Sequence, residues 1–414
     1  MKVTISLIAA CLLLLRPVEA DLLIQPHDFV AICGDSITEQ RQYSVFMEDY
    51  LLMCQPVDGL QVDQFGSAGE RAPGFMDRVT NEVLSFKPTV VTTCYGMNDG
   101  RYKPFDQQIE DDYRKGETDI IEIFKKNGVR NIVVGSPDCV DSTLFKQIPA
   151  DVYNDTLQKL SDVAADVAKK EGVPFADVHT PALDVMKKLK AAYGANFAWA
   201  GDGIHPNACG HIVMAYAFLK ALGCDGNIGT ITVEMAFQSA EGTPGQKIIS
   251  FKDGTLDIES TRYPFCFWGD PSSPDATTGA IKFFPFNDDL NRYSLIVKGL
   301  TTPNAKITWG KETKEFSSAD LAKGINLAAE FLDNPFVSPF EAVDQAVRKQ
   351  QESEVFLTLF MRNAGDTKKI LRPESASVVD QLIAEGKSED VRRAGETKAL
   401  VIPIEHTLKI ESVQ

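Results

Sequence analysis

The sequence predicts an α/β fold, with one parallel sheet covered by helices on both faces and a β-rich, then helical, extension behind it. Three observations predict it. Between Asp21 and Asp225 short apolar runs alternate with amphipathic stretches of helical length, which is the rhythm of βαβ units. After Gly226 the pattern changes to period-two alternation. Beyond Ser317 helical spacing returns. The chain therefore divides into a leader at 1–20, an α/β domain at 21–225, a β-rich region at 226–315 and a helical extension at 316–414.

Phe29 to Cys33 reads as a buried strand, and Arg41 to Cys54 as a helix with Val45, Phe46, Tyr50 and Leu51 apolar. Leu60 to Phe65 alternates and reads as a second strand; Thr89 to Cys94, introduced by Pro88, is a third. Asp106 to Lys126 is an amphipathic helix ended by Asn127-Gly128. Asn131 to Val134 is the fourth strand, Ala150 to Lys170 a helix closed by Gly172, Pro174 to Val178 the fifth strand, and Ala208 to Leu222 the last helix. In the β-rich region Thr230 to Met235, Ser294 to Lys298 and Lys306 to Trp309 alternate, with turns at Asp253-Gly254, Asn287 to Asp289 and Thr302 to Asn304. Phe340 to Gln351, Glu352 to Asn363 and Ala376 to Glu385 carry helical spacing.

A chain of 414 residues with 44% hydrophobic and 24% charged residues has ordinary globular composition, with room for two or three domains. Its net charge of −16 argues against nucleic acid and against an anionic membrane surface. At the start, Lys2 precedes an apolar stretch from Val3 to Leu15, and Val18-Glu19-Ala20 offers small residues for cleavage after Ala20. This apolar run is shorter than the roughly 20 residues of a membrane span. Export to the periplasm or the exterior is the expectation. A lipobox at Ile8-Ala9-Ala10-Cys11 is the competing reading, but the apolar core continues past it to Leu15. Beyond the leader seven cysteines remain, without metal-ligand spacing, so neither a disulfide framework nor a metal is expected.

Three short blocks carry chemistry. Gly34-Asp35-Ser36 directly follows the first strand, Gly96-Met97-Asn98-Asp99 directly follows the third, and Asp202-Gly203-Ile204-His205-Pro206 precedes the last helix. Parallel sheets bind ligands beyond the carboxyl ends of their strands, which is where Ser36 and Asn98 would sit. A serine hydroxyl is a weak nucleophile until a neighbouring base takes its proton. His205 suits that base, and Asp202, three residues away, can fix the ring's tautomer.

With Phe65-Gly66-Ser67-Ala68-Gly69-Glu70 as a further block, these residues resemble the SGNH (GDSL) hydrolase family of serine esterases and lipases over roughly residues 28 to 222. The resemblance implies a flavodoxin-like three-layer αβα fold. It also implies Ser36 as nucleophile, His205 as base, Asp202 as the orienting acid, and the Ser36 N–H, Gly69 N–H and Asn98 amide as oxyanion donors. Gly69 is chosen over Gly66 by block alignment. Asp35 is expected to pin its loop and Asp99 to brace the Asn98 turn. His179 and His211 read as structural, His27 and His406 receive no role, Trp199 either lines the pocket or packs the loop, and Arg71 either meets substrate or is solvated.

The implied reaction is hydrolysis of short-chain carboxylic esters, with acetyl esters of carbohydrates as the expected class and acetylated polysaccharide as the expected partner. A lysophospholipase or thioesterase would use the same residues and is separated by an acyl-chain series. A non-catalytic carbohydrate-binding protein with an esterase-like shell is separated by hydrolysis of a small acetyl ester. No cofactor, nucleic acid or stable membrane insertion is expected, and the oligomeric state is left open. Because every candidate residue precedes Gly226, the region 226–414 is expected to tune substrate choice or stability.

Overall fold

The computed structural model describes residues 22–413, so the leader read at 1–20 lies outside the described residues. Strands β1 (Phe29–Gly34), β2 (Gln61–Gly66), β3 (Val90–Cys94), β4 (Asn131–Gly135) and β5 (Phe175–Ala176) form one sheet in the order β2-β1-β3-β4-β5. Every neighbouring pair is parallel. This is the doubly wound order in which the winding reverses between β1 and β3, so the loops after those two strands part and leave a crevice at their carboxyl ends. Ser36 and Asn98 follow these two strands.

The helices follow the expected positions with local differences. Helix Gln107–Lys126 starts where the Asp106 carboxylate accepts the Ile109 N–H at 2.9 Å, the usual reason for an acidic residue at an N-cap. The helix expected over 41–54 is α-helical only at Tyr43–Asp49 and widens to a π-helix at Tyr50–Cys54. β5 keeps two residues of the five expected. Helix His179–Tyr193 follows it, burying Ala182, Val185, Met186 and Leu189 at helical spacing.

In the second half, β6 (Asn227–Glu234), β7 (Ser239–Gly242), β10 (Arg292–Lys298) and β13 (Ile325–Asn326) form a sheet ordered β13-β10-β6-β7. Strands β8 (Gln246–Lys252), β9 (Thr255–Ser260), β11 (Asn304–Trp309), β12 (Glu312–Ser317) and β14 (Ile404–Val413) form an antiparallel sheet ordered β12-β11-β14-β9-β8. The expectation that 316–414 is a helical extension is thereby corrected. Its residues Ile404–Val413 are a strand seated between β9 and β11, with His406, Leu408 and Ile410 buried at alternate positions. Period two was present in Ile404 to Val413, and antiparallel pairing with β9 and β11 seats this strand in the middle of the sheet. Between these strands stand the long helix Val337–Ile370 and its antiparallel companion Pro373–Lys398, where shorter helices were expected. Among the described residues no helix is long and apolar enough to cross a membrane.

The two halves share one apolar core, in which the Phe265 ring lies 6.3 Å from Phe46 and 5.0 Å from Phe340. Their polar contact explains why β2 is buried from Val62 to Gly66 despite its alternating sequence. The long helix lies along it, and Glu354 accepts the Gln64 N–H at 2.8 Å while Gln350 and Gln351 donate to Glu48 at 3.0 and 2.8 Å. Asp63 of β2 meets Glu354 and Asp390 from the two helices, all three buried, with their oxygens within 4.8 Å of one another. Carboxyls packed this closely inside the protein hold their protons. Burial pushes Glu48 up to about 8 and raises Asp63, Glu354 and Asp390.

Raised folded-state values mean that the folded protein keeps protons the unfolded chain releases. This contribution to stability is complete below the unfolded value of about 4 and is lost as pH rises through the folded values. The melting temperature is therefore expected to fall between about pH 5 and about pH 8.5, and Asp63→Asn to make that fall shallower. A melting temperature that holds level or rises over the range contradicts neutral carboxyls at this contact.

Candidate active site

Ser36 opens the short helix Ser36–Glu39 directly after β1, and the Asp35 side chain caps that helix by accepting the Ile37 N–H at 2.9 Å. The turn is tight and places the hydroxyl at the helix N-terminus, where the Ser36 N–H has no intrahelical partner. His205 arrives from the loop before helix Ala208–Ala221. Its Nε2 lies 2.8 Å from Ser36 Oγ, and its Nδ1 lies 2.6 Å from Asp202 Oδ2. The other Asp202 oxygen accepts the Ile204 and His205 N–H groups at 2.9 Å each, so one carboxylate shapes the turn and orients the ring. Partial burial works to raise the Asp202 carboxyl, but the hydrogen bonds from the His205 ring and the two amides outweigh it and hold the group below its usual range. The structure thus brings Ser36, His205 and Asp202 into one hydrogen-bonded line.

The remaining two candidates flank this line. Gly69 has φ +71°, a left-handed conformation, and a Cβ built on it would meet nothing within 4 Å. Its N–H has no partner among the described residues. Gly66 differs, because a Cβ there would sit 2.1 Å from the Glu39 backbone nitrogen, so its smallness serves packing. Gly69 therefore sits in an open loop, whereas Gly66 must be small to pack. Asn98 follows β3, and its Nδ2 donates to Asp35 Oδ2 at 3.2 Å and to the Glu70 carbonyl at 3.1 Å. An oxyanion would have to share that amide with these two acceptors. Asp99 braces the turn as expected, accepting the Ala72 and Gly96 N–H groups at 3.0 Å each. Burial pushes both Asp35 and Asp99 up to about 7.

Several contributors were not foreseen. Tyr102 donates its hydroxyl to Asn98 Oδ1 at 2.9 Å, which fixes which end of the amide faces the site. Arg101 and Tyr102 hold φ +55° and +52°, a conformation that costs non-glycine residues energy and is retained where surroundings impose it. Glu70 is gripped by Arg78 through Nε and Nη2 at 2.7 Å each and by the Tyr95 hydroxyl at 2.7 Å. Glu39 accepts the Ala68 N–H at 2.5 Å. In the sequence, only the adjacency of Glu70 and Tyr102 to their blocks hinted at these roles.

The secondary candidates resolve simply. Trp199 is fully buried and donates Nε1 to Asp138 at 3.2 Å, so it packs the loop and does not line a pocket. His179 and His211 are buried, with His211 Nδ1 accepting the Tyr43 N–H at 3.3 Å; burial pushes His211 down to about 3. His406 is buried in the second half and accepts the Trp309 indole N–H at 3.1 Å. Arg71 is exposed. All seven cysteines among the described residues are buried and free.

Residues 32–212 match the model of the GDSL-like lipase/acylhydrolase family. An acetylxylan esterase of Geobacillus stearothermophilus is 25% identical over 187 residues, which is 44% of this chain and 80% of that protein. Over the whole molecule, a solved structure described as a gut microbial diltiazem-metabolizing enzyme aligns with a TM-score of 0.73 at 20% identity, covering 94% of this chain and 98% of that one. At that identity the likeness speaks for the fold, second half included. Residues 32–212 thus form a GDSL-like lipase/acylhydrolase domain, and the chain is a carboxylic ester hydrolase.

Proposed function

We propose that the protein is a serine esterase that removes short acyl groups, acetyl above all, from carbohydrates. The observation that carries the mechanism is the line Ser36 Oγ, His205 Nε2, His205 Nδ1, Asp202 Oδ2, with separations of 2.8 and 2.6 Å. Ser36 Oγ attacks the ester carbonyl carbon while its proton passes to His205 Nε2. The carbonyl π pair moves onto oxygen, which the Ser36 and Gly69 N–H groups and the Asn98 amide face. Collapse breaks the bond to the alcohol oxygen, which leaves with the proton from His205. Water then attacks the acyl-enzyme, giving its proton to His205, and the acid departs as Ser36 is restored. Asp202 keeps its charge throughout and stabilises the imidazolium.

Two observations support the sugar ester. The curated relative is by name an acetylxylan esterase. Beside the Gly69 loop, and apart from Ser36 and His205, a cleft of about 520 Å³ has both polar lining (Asp77, Asn81, Lys368) and apolar lining (Met361, Ala364, Ile383), as the two faces of a sugar ring require. The test is acetate release from acetylated xylo-oligosaccharides set against esters of lengthening acyl chain and lysophospholipid. Acetylated oligosaccharide is expected to have the highest kcat/KM; preference for a long acyl chain overturns the substrate class.

Ser36→Ala and His205→Ala are each expected to lower kcat by about 10³ or more, and the double variant to be no worse than either single, because nucleophile and base act as a unit. Activity of Ser36→Ala within tenfold of wild type on a small acetyl ester contradicts the assignment. Asn98→Ala is expected to lower kcat by about 10²–10³ with KM little changed, since its amide matters most once the oxygen is charged. A loss confined to KM would make Asn98 a ground-state binding residue.

A further inference from the structure

Gly69 can present its N–H only if the loop from Ser67 to Glu70 is held, and one hand that holds it comes from outside the α/β domain. Arg362, on helix Val337–Ile370, donates Nη1 to Ser67 Oγ at 2.8 Å. The same guanidinium sets Nε and Nη2 on the two Glu82 oxygens at 3.0 Å each. Glu82 is 1% exposed and also takes Arg78 Nη1 at 3.1 Å. Arg78 in turn grips Glu70 through two donors at 2.7 Å, and the Glu70 carbonyl receives Asn98 Nδ2 at 3.1 Å. One relay of charge-assisted hydrogen bonds, Arg362–Glu82–Arg78–Glu70, therefore reaches both sides of Gly69. Such bonds are about twice as strong as neutral ones and are directional.

We propose that Arg362 is a positioning residue for the oxyanion donors, so that the C-terminal helix sets the rate of ester cleavage. This inference rests on reading Ser36, Gly69 and Asn98 as the esterase site. Charge balance explains why the effect would travel. With Arg362 present, two guanidiniums face two carboxylates. Without it Arg78 alone must serve Glu82 and Glu70, both inside the protein, and a buried charge left without its partner is costly. Arg78 is drawn to Glu82, the hold on Glu70 slackens, and Ser67 loses its donor at the same time. Gly69 and the acceptor of Asn98 lie between those two points.

The test uses the full chain with a small acetyl ester and a fluorophosphonate, which phosphonylates a nucleophilic serine through an anionic oxygen in the same donor set. Arg362→Ala is expected to lower kcat about tenfold or more with KM within about twofold, and to slow phosphonylation in parallel. The Arg362 side chain is 29% exposed on the 520 Å³ cleft, so free guanidinium can reach the vacated place. Added at about 20 mM, far below denaturing levels, guanidinium is expected to raise the variant's kcat several-fold and leave wild type unchanged. Arg362→Lys is expected to fall between, because an ammonium supplies charge without the planar fork. Ser67→Ala, which leaves the ion pairs intact, serves if Arg362→Ala fails to fold, and is expected to lower kcat with KM held. Unchanged kcat and phosphonylation in these variants overturn the proposal. So does a loss of kcat that follows folded fraction and is not rescued by guanidinium. Wild type that is not phosphonylated at Ser36 contradicts the serine-esterase reading itself, a failure distinct from the others.

Discussion

Ser36 and His205 lie 169 positions apart, and the 2.8 Å hydrogen bond between them depends on a sheet that brings both to one edge. β1 delivers Ser36 and β3 delivers Asn98 as adjacent parallel strands at the point where the winding reverses. That reversal opens the crevice, and the loop carrying Asp202 and His205 closes over it from the start of the last helix of the α/β domain. Within this loop the work is local: Asp202 uses one oxygen on two backbone amides and the other on the ring. Orientation of the imidazole thus costs little beyond what the turn already requires.

The second half of the chain is part of the same body. Its long helix buries Gln64 and Asp63 of β2 and supplies Glu354 as an acceptor, so a strand that alternates in sequence is covered on both faces. The core crosses residue 225 without a break, through Phe46, Phe265 and Phe340. A cut at that boundary would expose this surface and remove Arg362 from Ser67. Neutral buried carboxyls at the contact are tolerable because they keep their protons, and they make the union of the two halves sensitive to alkaline pH.

Much of the site was legible because its parts are local. Gly34-Asp35-Ser36 after an apolar run, Asn98 after another, and Asp202 three residues before His205 all announce themselves within a few positions. Block alignment alone set Gly69 above Gly66; the left-handed φ and open surroundings of the one, and the Glu39 contact of the other, are visible only in the fold. Side-chain partners outside the blocks were not legible. Tyr102 on Asn98 and Arg78 on Glu70 are ordinary residues until the chain folds. β14 was missed because a strand at the chain end carries the same alternation as many solvated segments, and its neighbours in the sheet lie far away in sequence. Trp199 showed the reverse, a conspicuous residue that packs the loop against Asp138.

The central claim is that Ser36 carries the acyl group between two half-reactions, and trapping that intermediate tests it most directly. Rapid acid quenching of the enzyme turning over a small acetyl ester, followed by mass spectrometry of its peptides, should show one acetyl group on Ser36. The modification should appear before steady state and be absent from Ser36→Ala. Acetylation at another residue, or turnover of an activated acetyl ester by the wild-type enzyme with no acetyl-Ser36 at any quench time, would contradict the account.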